Sequence, residues 1–258
     1  MKVIILCGGL GTRMREETEF RPKPLVDIGG HPVLWHIMKT YAHHGHRDFV
    51  LALGYKGHLI KEYFLNYEAM NNDFTIRLGE KSAVQFHGSH QEQDFSVTLA
   101  ETGADSQTGA RIKRLQRHVD GGTFMATYGD GVADIDINKL LAFHRSHGRL
   151  ATISTVRMPG RFGIVEMGAE DRVLSFKEKP AHSDYISMGY FVFEPGVFDY
   201  LDADPSCVLE RTPLERLAHD GQLIAYRHEG NFFPMDTYRD NVFLNDLWAK
   251  NKAPWRVW

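Results

Sequence analysis

The beginning of this chain restricts its fold more than any other segment. The apolar run Val3-Ile4-Ile5-Leu6 passes directly into Cys7-Gly8-Gly9-Leu10-Gly11-Thr12-Arg13. A continuous aliphatic run of this length reads as a strand buried on both faces, as strands inside parallel sheets are. The glycines after it let backbone N–H groups approach phosphate oxygens with no Cβ in the way. Arg13, and Lys23 within Arg21-Pro22-Lys23-Pro24, add positive charge for a polyanion. Strand, glycine loop and cations together predict a nucleotide site at the start of an α/β sheet, although a tight turn gives the same glycine pattern. Two familiar phosphate loops are excluded. No Gly, four residues, Gly-Lys-Ser/Thr run occurs, and the dinucleotide fingerprint would need a glycine where Met14 stands.

Periodicity extends the pattern. Phe49–Leu53 and Thr123–Tyr128 read as further buried strands, and Ala151–Val156 as another. Helices are predicted over Val33–His44, Lys56–Phe64, Arg111–His118, Ile137–His147, Thr212–His219 and Asn241–Lys250. Phe74–Leu78 and Phe95–Ala100 alternate as shorter strands do. Strands alternating with helices predict a Rossmann-like, mostly parallel mixed sheet flanked by helices. From Phe162 the strands crowd together as Phe162–Met167, Val173–Lys177 and Ile186–Phe193, predicting a small antiparallel β insertion at about 157–194 packed on that sheet. With no repeat, linker or low-complexity tract, residues 1–258 read as one domain, long enough to bury a substantial core. The formal net charge of −3 lacks the basic excess of a nucleic-acid binder. The two cysteines, Cys7 and Cys207, form no disulfide framework, which suits a cytoplasmic protein. No apolar run approaches the length of a membrane span, so no membrane partner is expected.

In open α/β sheets ligands gather at the carboxyl ends of strands. The Gly8–Arg13 loop and Asp130, in Tyr128-Gly129-Asp130-Gly131, fall at such ends, and Asp236 follows the apolar Phe232–Met235 run. Two carboxylates beside a triphosphate are a common Mg²⁺ arrangement, and an ordinary turn aspartate is the alternative for each. Prolines on both sides of Lys23 fix φ and stiffen its segment, which holds the lysine at one point without forming a helix. Lys23 and Lys179 both have the alternative of a solvated surface lysine. Arg111, with Lys113, Arg114 and Arg117, reads equally well as one solvated helix face. The histidines at 43, 44, 46, 144 and 147 sit near helix ends, where the dipole favours them over a metal role. Cys7 reads as a small packed residue with no catalytic role.

These motifs, in this order, resemble the sugar-phosphate nucleotidyltransferases. The resemblance rests on Leu6–Arg13, Arg21–Pro24, Tyr128–Gly131, Glu178-Lys179-Pro180 and Met235-Asp236-Thr237, and covers nearly the whole chain. It is nearest to the members that join CTP and glucose 1-phosphate, through Leu34–Met38, Gly54–Gly57, Pro159–Gly163 and Ala253–Trp255. It implies a glycosyltransferase-A-like fold and nucleotidyl transfer: a nucleoside triphosphate and a sugar 1-phosphate give a nucleotide sugar and pyrophosphate. It assigns catalysis to Arg13, Lys23 and Asp130. Nucleotide binding falls to Leu6, Cys7, Gly8, Gly9, Leu10, Gly11, Thr12 and Arg13, and to Ser106, Thr108, Arg111 and Gly129. Acceptor binding falls to Lys23, Glu178, Lys179, Met188 and Gly189, and Mg²⁺ to Asp130 and Asp236. Relatives form homo-oligomers, often hexamers, and their products feed surface polysaccharide or deoxysugar synthesis. One departure matters. Ser187-Met188-Gly189-Tyr190 stands where glucose-specific members tend to have asparagine followed by two glycines, and a thioether cannot hydrogen-bond a hydroxyl as an amide does. UTP or dTTP, another sugar or non-sugar phosphate, or a non-catalytic nucleotide-binding subunit therefore stay open.

Overall fold

A computed structural model describes residues 1–9, 11, 14–79, 84–119, 121–158, 164–177 and 184–258. Seven strands form the main sheet: Lys2–Cys7 (β1), Asp48–Leu53 (β2), Ser96–Glu101 (β3), Phe124–Tyr128 (β4), Ala151–Val156 (β5), Ile186–Phe193 (β6) and Leu223–His228 (β7). Their spatial order is β7-β5-β6-β4-β1-β2-β3. β1 pairs in parallel with β2 and β4, β2 with β3, and β5 with β7. Only β6 runs against its neighbours β4 and β5. The mostly parallel mixed sheet expected from the sequence is therefore present.

The continuous apolar runs have a direct cause. Side chains alternate across a strand, and both faces of this sheet are covered. Val3, Ile5 and Cys7 of β1 enter one core cluster with Phe49, Leu51 and Leu53 of β2. Ile4 enters the opposite cluster with Val50 and Ala52. Helices Val33–His43 (α1), Ile137–His147 (α4) and Tyr238–Ala249 (α6) supply apolar side chains to the first cluster. Thr108–Arg114 (α3) and Thr212–His219 (α5) supply the second. Gly57–Leu65 (α2) follows β2.

The insertion is smaller than the sequence reading. Ile164–Met167 and Val173–Lys177 pair as a separate antiparallel hairpin. The third strand assigned to it, Ile186–Phe193, is β6 of the main sheet, because Met188, Tyr190 and Val192 fill one core cluster and Phe191 and Phe193 the other. Features that escaped the sequence include the edge strand β7, the strand Val84–Phe86 that pairs with the expected strand at Phe74–Ile76, and the pairing of Gly131–Ala133 with Phe232–Pro234 in a short ribbon. Among the described residues no helix is long and apolar enough to cross a membrane.

Candidate active site

The glycine loop leaves the carboxyl end of β1, and the segments after β2, β3 and β4 leave the same edge of the sheet. A pocket opens there. Leu6, Gly8 and Gly9 line it from β1, Ser106, Thr108 and Arg111 from the β3–α3 segment, and Tyr128, Gly129 and Asp130 from β4. Lys23 and Pro24 complete the wall.

Lys23 lies in a single 3-10 turn, Lys23–Leu25, which the flanking prolines start but do not extend. Its ammonium is 2.7 Å from Asp130 Oδ2 and 2.9 Å from Asp236 Oδ1. The short ribbon makes this junction possible. Pro234 pairs with Gly131, and the Met235 N–H donates to the Asp130 carbonyl at 2.8 Å, bringing together two aspartates more than a hundred positions apart. Only 12% of the Lys23 side chain is exposed. Burial by itself would lower its pKa, but Asp130 and Asp236 outweigh that and hold it above the ordinary lysine value. Two carboxylate oxygens that can share one ammonium are hard donors near enough to share one small divalent cation. Among the described residues no group of three or more metal-ligating side chains converges, so any such cation completes its shell from ligand and water.

Arg111 is buried, not part of a solvated face, at 4% exposure. Its Nη1 donates to Leu53 O at 3.0 Å, Thr102 Oγ1 at 2.8 Å and Gly103 O at 2.7 Å. Its Nη2 donates to Gly8 O at 3.0 Å and Ala104 O at 3.1 Å. The guanidinium thus ties together the ends of β1, β2 and β3, with no carboxylate among these partners. Burial lowers its pKa. It also explains two glycines. A Cβ on Gly8 would lie 2.1 Å from Arg111 Cζ, and one on Gly54 would lie 2.4 Å from Nη1. Gly8 makes room for the guanidinium as well as for any ligand. Its carbonyl points to Arg111, so the N–H of Gly9, in the same trans peptide, points the opposite way.

The other predicted site residues divide. The Ser106 hydroxyl accepts from Arg114 Nη1 at 2.7 Å. The Gly11 carbonyl accepts from Thr18 Oγ1 at 2.9 Å, which anchors the far end of the loop. Cys7 is fully buried, and desolvation pushes its thiol pKa far up, so it stays protonated. Met188 does not open onto the pocket. At 1% exposure it packs in the core on the face it shares with Tyr190 and Val192. Gly189 has φ +72° at a register irregularity between β5 and β6, against the Tyr128 ring. Leu10, Thr12, Arg13, Glu178 and Lys179 lie outside the described residues. Glu210 was missed, because no local pattern links it to Thr108, 102 positions away, or to Tyr128.

Residues 2–213 match the family described as nucleotidyl transferase. The chain is 48% identical to glucose-1-phosphate cytidylyltransferase of Salmonella typhimurium, over the full length of both. It is 42% identical, again end to end, to a "Probable glucose-1-phosphate cytidylyltransferase" of Bacillus subtilis. Among solved structures, apo UDP-glucose pyrophosphorylase superposes with a TM-score of 0.70 at 14% identity, covering 97% of this chain and 98% of that one. At that identity the likeness concerns the fold alone.

Proposed function

The chain belongs to the nucleotidyl transferase family, and from that premise we propose that it joins CTP and glucose 1-phosphate to give CDP-glucose and pyrophosphate. A phosphate oxygen of the sugar phosphate attacks the α-phosphorus of CTP, the P–O bond to the β-phosphate breaks, and pyrophosphate leaves with that electron pair. The nucleophile is already an anion, so no strong general base is needed. The barrier is the approach of two polyanions, which positioning and fixed positive charge lower.

In this reading Arg111 keeps the Gly8 carbonyl turned inward, so the loop offers N–H groups to the nucleotide. Ser106, Thr108 and Gly129 line its place. Lys23 leaves its aspartates to hold the α-phosphate or the incoming phosphate. Members of this family generally use a divalent metal ion. We take it to be Mg²⁺ held by Asp130 and Asp236, where it would neutralise phosphate charge and stabilise the departing pyrophosphate. Arg13 is assigned to the leaving phosphates, Glu178 and Lys179 to the sugar phosphate, through the family motif they match. We further read the chain as a cytoplasmic homo-oligomer. The exposed apolar side chains of Phe74, Ile76, Val84 and Phe86 on one hairpin suit a contact between copies.

The observation that carries this reading is the junction of Lys23, Asp130 and Asp236 in a chain that aligns end to end with cytidylyltransferases. The test is pyrophosphate release with Mg²⁺, crossing CTP, UTP, dTTP, ATP and GTP with glucose 1-phosphate and other sugar phosphates. Release with CTP and glucose 1-phosphate above every other pair is the expected result. Preference for a different pair would reassign the substrates, and silence across the panel would sink the catalytic reading.

A further inference from the structure

Glu210 sits outside the pocket but controls two of the hydroxyl groups that line it. One carboxylate oxygen accepts from Thr108 Oγ1 at 2.6 Å, and the other accepts from the Tyr128 hydroxyl. Thr108 begins α3, and Tyr128 ends β4. The carboxylate therefore joins two walls of the pocket that come from different parts of the chain.

The direction of these bonds follows from chemistry alone. An ionised carboxylate only accepts, so each hydroxyl spends its single proton on Glu210. What remains on each oxygen is lone-pair density. Thr108 Oγ1 also accepts from the Leu209 N–H at 2.9 Å, which leaves it one lone pair. The segment carrying Glu210 is fixed against α3. The Gln107 N–H donates to Pro205 O at 2.8 Å and the Ala110 N–H to Cys207 O at 3.1 Å. A Cβ on Gly109 would lie only 2.7 Å from Cys207 Sγ, so the two segments are in close contact.

We propose that Glu210 is a specificity-determining positioning residue: it locks Thr108 and Tyr128 as hydrogen-bond acceptors, so that this wall of the pocket takes a donor group of the nucleotide. This rests on the nucleotidyl-transfer reading of the site. Two groups of CTP carry that chemistry, the exocyclic amine of cytosine and the ribose hydroxyls. Uracil and thymine present a carbonyl oxygen where cytosine has the amine. An oxygen facing that acceptor wall leaves lone pairs opposed and no hydrogen bond made. Glu210 is solvent-exposed, so the discrimination it adds is moderate, on the order of tenfold, against the far larger ratios of fully buried sites.

The experiment compares wild type with Glu210→Gln and Tyr128→Phe in pyrophosphate release, using CTP, UTP, 2′-deoxy-CTP and 3′-deoxy-CTP with glucose 1-phosphate. The glutamine keeps the shape of the glutamate but has only one acceptor oxygen, so one hydroxyl is released to turn its proton toward the pocket. A fall of about tenfold in the CTP-to-UTP ratio of kcat/KM identifies the base amine as the donor. A similar fall in the ratio of CTP to either deoxy analogue identifies the ribose. Tyr128→Phe shifts the same ratio in the same direction. Unchanged ratios in both variants overturn the proposal, however far kcat falls, since a purely structural role lowers all four substrates together. Wild type that does not use CTP fails the functional reading instead. The same four nucleotides are then compared by calorimetric binding, where equal relative affinities in wild type and Glu210→Gln overturn the proposal.

Discussion

Gly54→Ala separates the role of Arg111 from any direct contact with ligand, because Gly54 does not line the pocket. The added methyl would lie 2.4 Å from Nη1, 2.6 Å from Nη2 and 2.7 Å from Cζ of Arg111. Comfortable contact lies near 3.5 Å, so the guanidinium must retreat by about 1 Å. Bonds that now measure 2.7–3.1 Å then leave hydrogen-bonding range on the side being vacated. Loss of two of the five, at about 1.5–3 kcal/mol each for a charged donor, less about 0.4–1 kcal/mol that alanine removes from the unfolded chain's entropy, gives a net cost of about 3 kcal/mol. At 258 residues that is a drop of roughly 9 °C in the unfolding midpoint. The released Gly8 carbonyl also frees the Gly9 peptide to rotate, so KM for the nucleoside triphosphate rises. Scanning calorimetry with nucleotide titration measures both effects. Gly9→Ala is the control, since among the described residues no atom beyond its chain neighbours lies within 4 Å of a Cβ there, and its midpoint stays within about 2 °C of wild type. A Gly54→Ala protein with wild-type midpoint and wild-type KM would refute the clamp, and an equal loss in Gly9→Ala would show that the loop tolerates no side chain anywhere.

Three further outcomes follow from the geometry. Lys23→Met leaves Asp130 and Asp236 facing each other without their shared cation; turnover falls at least about a hundredfold while the circular dichroism spectrum is kept, and near-normal turnover would remove Lys23 from the mechanism. Gly189→Ala imposes a side chain at φ +72° with its Cβ 2.1 Å from the Tyr128 ring; it costs about 2 kcal/mol or more and raises KM, and unchanged calorimetry would contradict the packing. His36 donates from Nε2 to Ile28 O at 2.8 Å and accepts at Nδ1 from Trp255 Nε1 at 3.3 Å, so it is held neutral, and burial depresses its pKa to about 4. The unfolded chain takes up this proton near the ordinary value of about 6.5, so stability is lost as pH falls from there toward 4. The midpoint of His36→Gln therefore falls less between pH 7 and pH 4.5 than that of wild type, and an identical fall would place the acid sensitivity elsewhere.

The sequence made the strands legible wherever both faces of the sheet are covered, because burial on two sides demands the unbroken apolar runs at Val3–Leu6, Phe49–Leu53 and Phe124–Tyr128. The same logic misplaced Ile186–Phe193. Its spacing from the two preceding strands suggested a common antiparallel lobe, while its unbroken burial from Met188 onward is the mark of a strand inside the main sheet. Edge strand β7 was missed for the opposite reason: half-exposed and mixed in composition, Leu223–His228 carries neither signal.

Within the site, local chemistry identified the residues but not their partners. Glycines, a proline-flanked lysine and two aspartates at strand ends were visible one at a time. What makes them a site is long-range pairing. A ribbon of three residues a side brings Asp236 to Asp130, a buried arginine ties three strand ends together, and a glutamate reaches two hydroxyls. Arg111 shows how such pairing changes the meaning of a residue. By sequence it is one of four cations on a helix; in the fold it is the only one whose guanidinium lies between Gly8 and Gly54, and its burial is possible because the carbonyl groups of Gly8, Gly103 and Ala104, just past the ends of the parallel strands, accept from it. The strand ends need a donor there whether or not a ligand is bound. Selection for a folded loop and selection for a binding loop therefore act on the same side chain, and substitutions at Arg111 should lower stability and nucleotide affinity together, whereas substitutions at Lys23 should lower turnover with the fold retained.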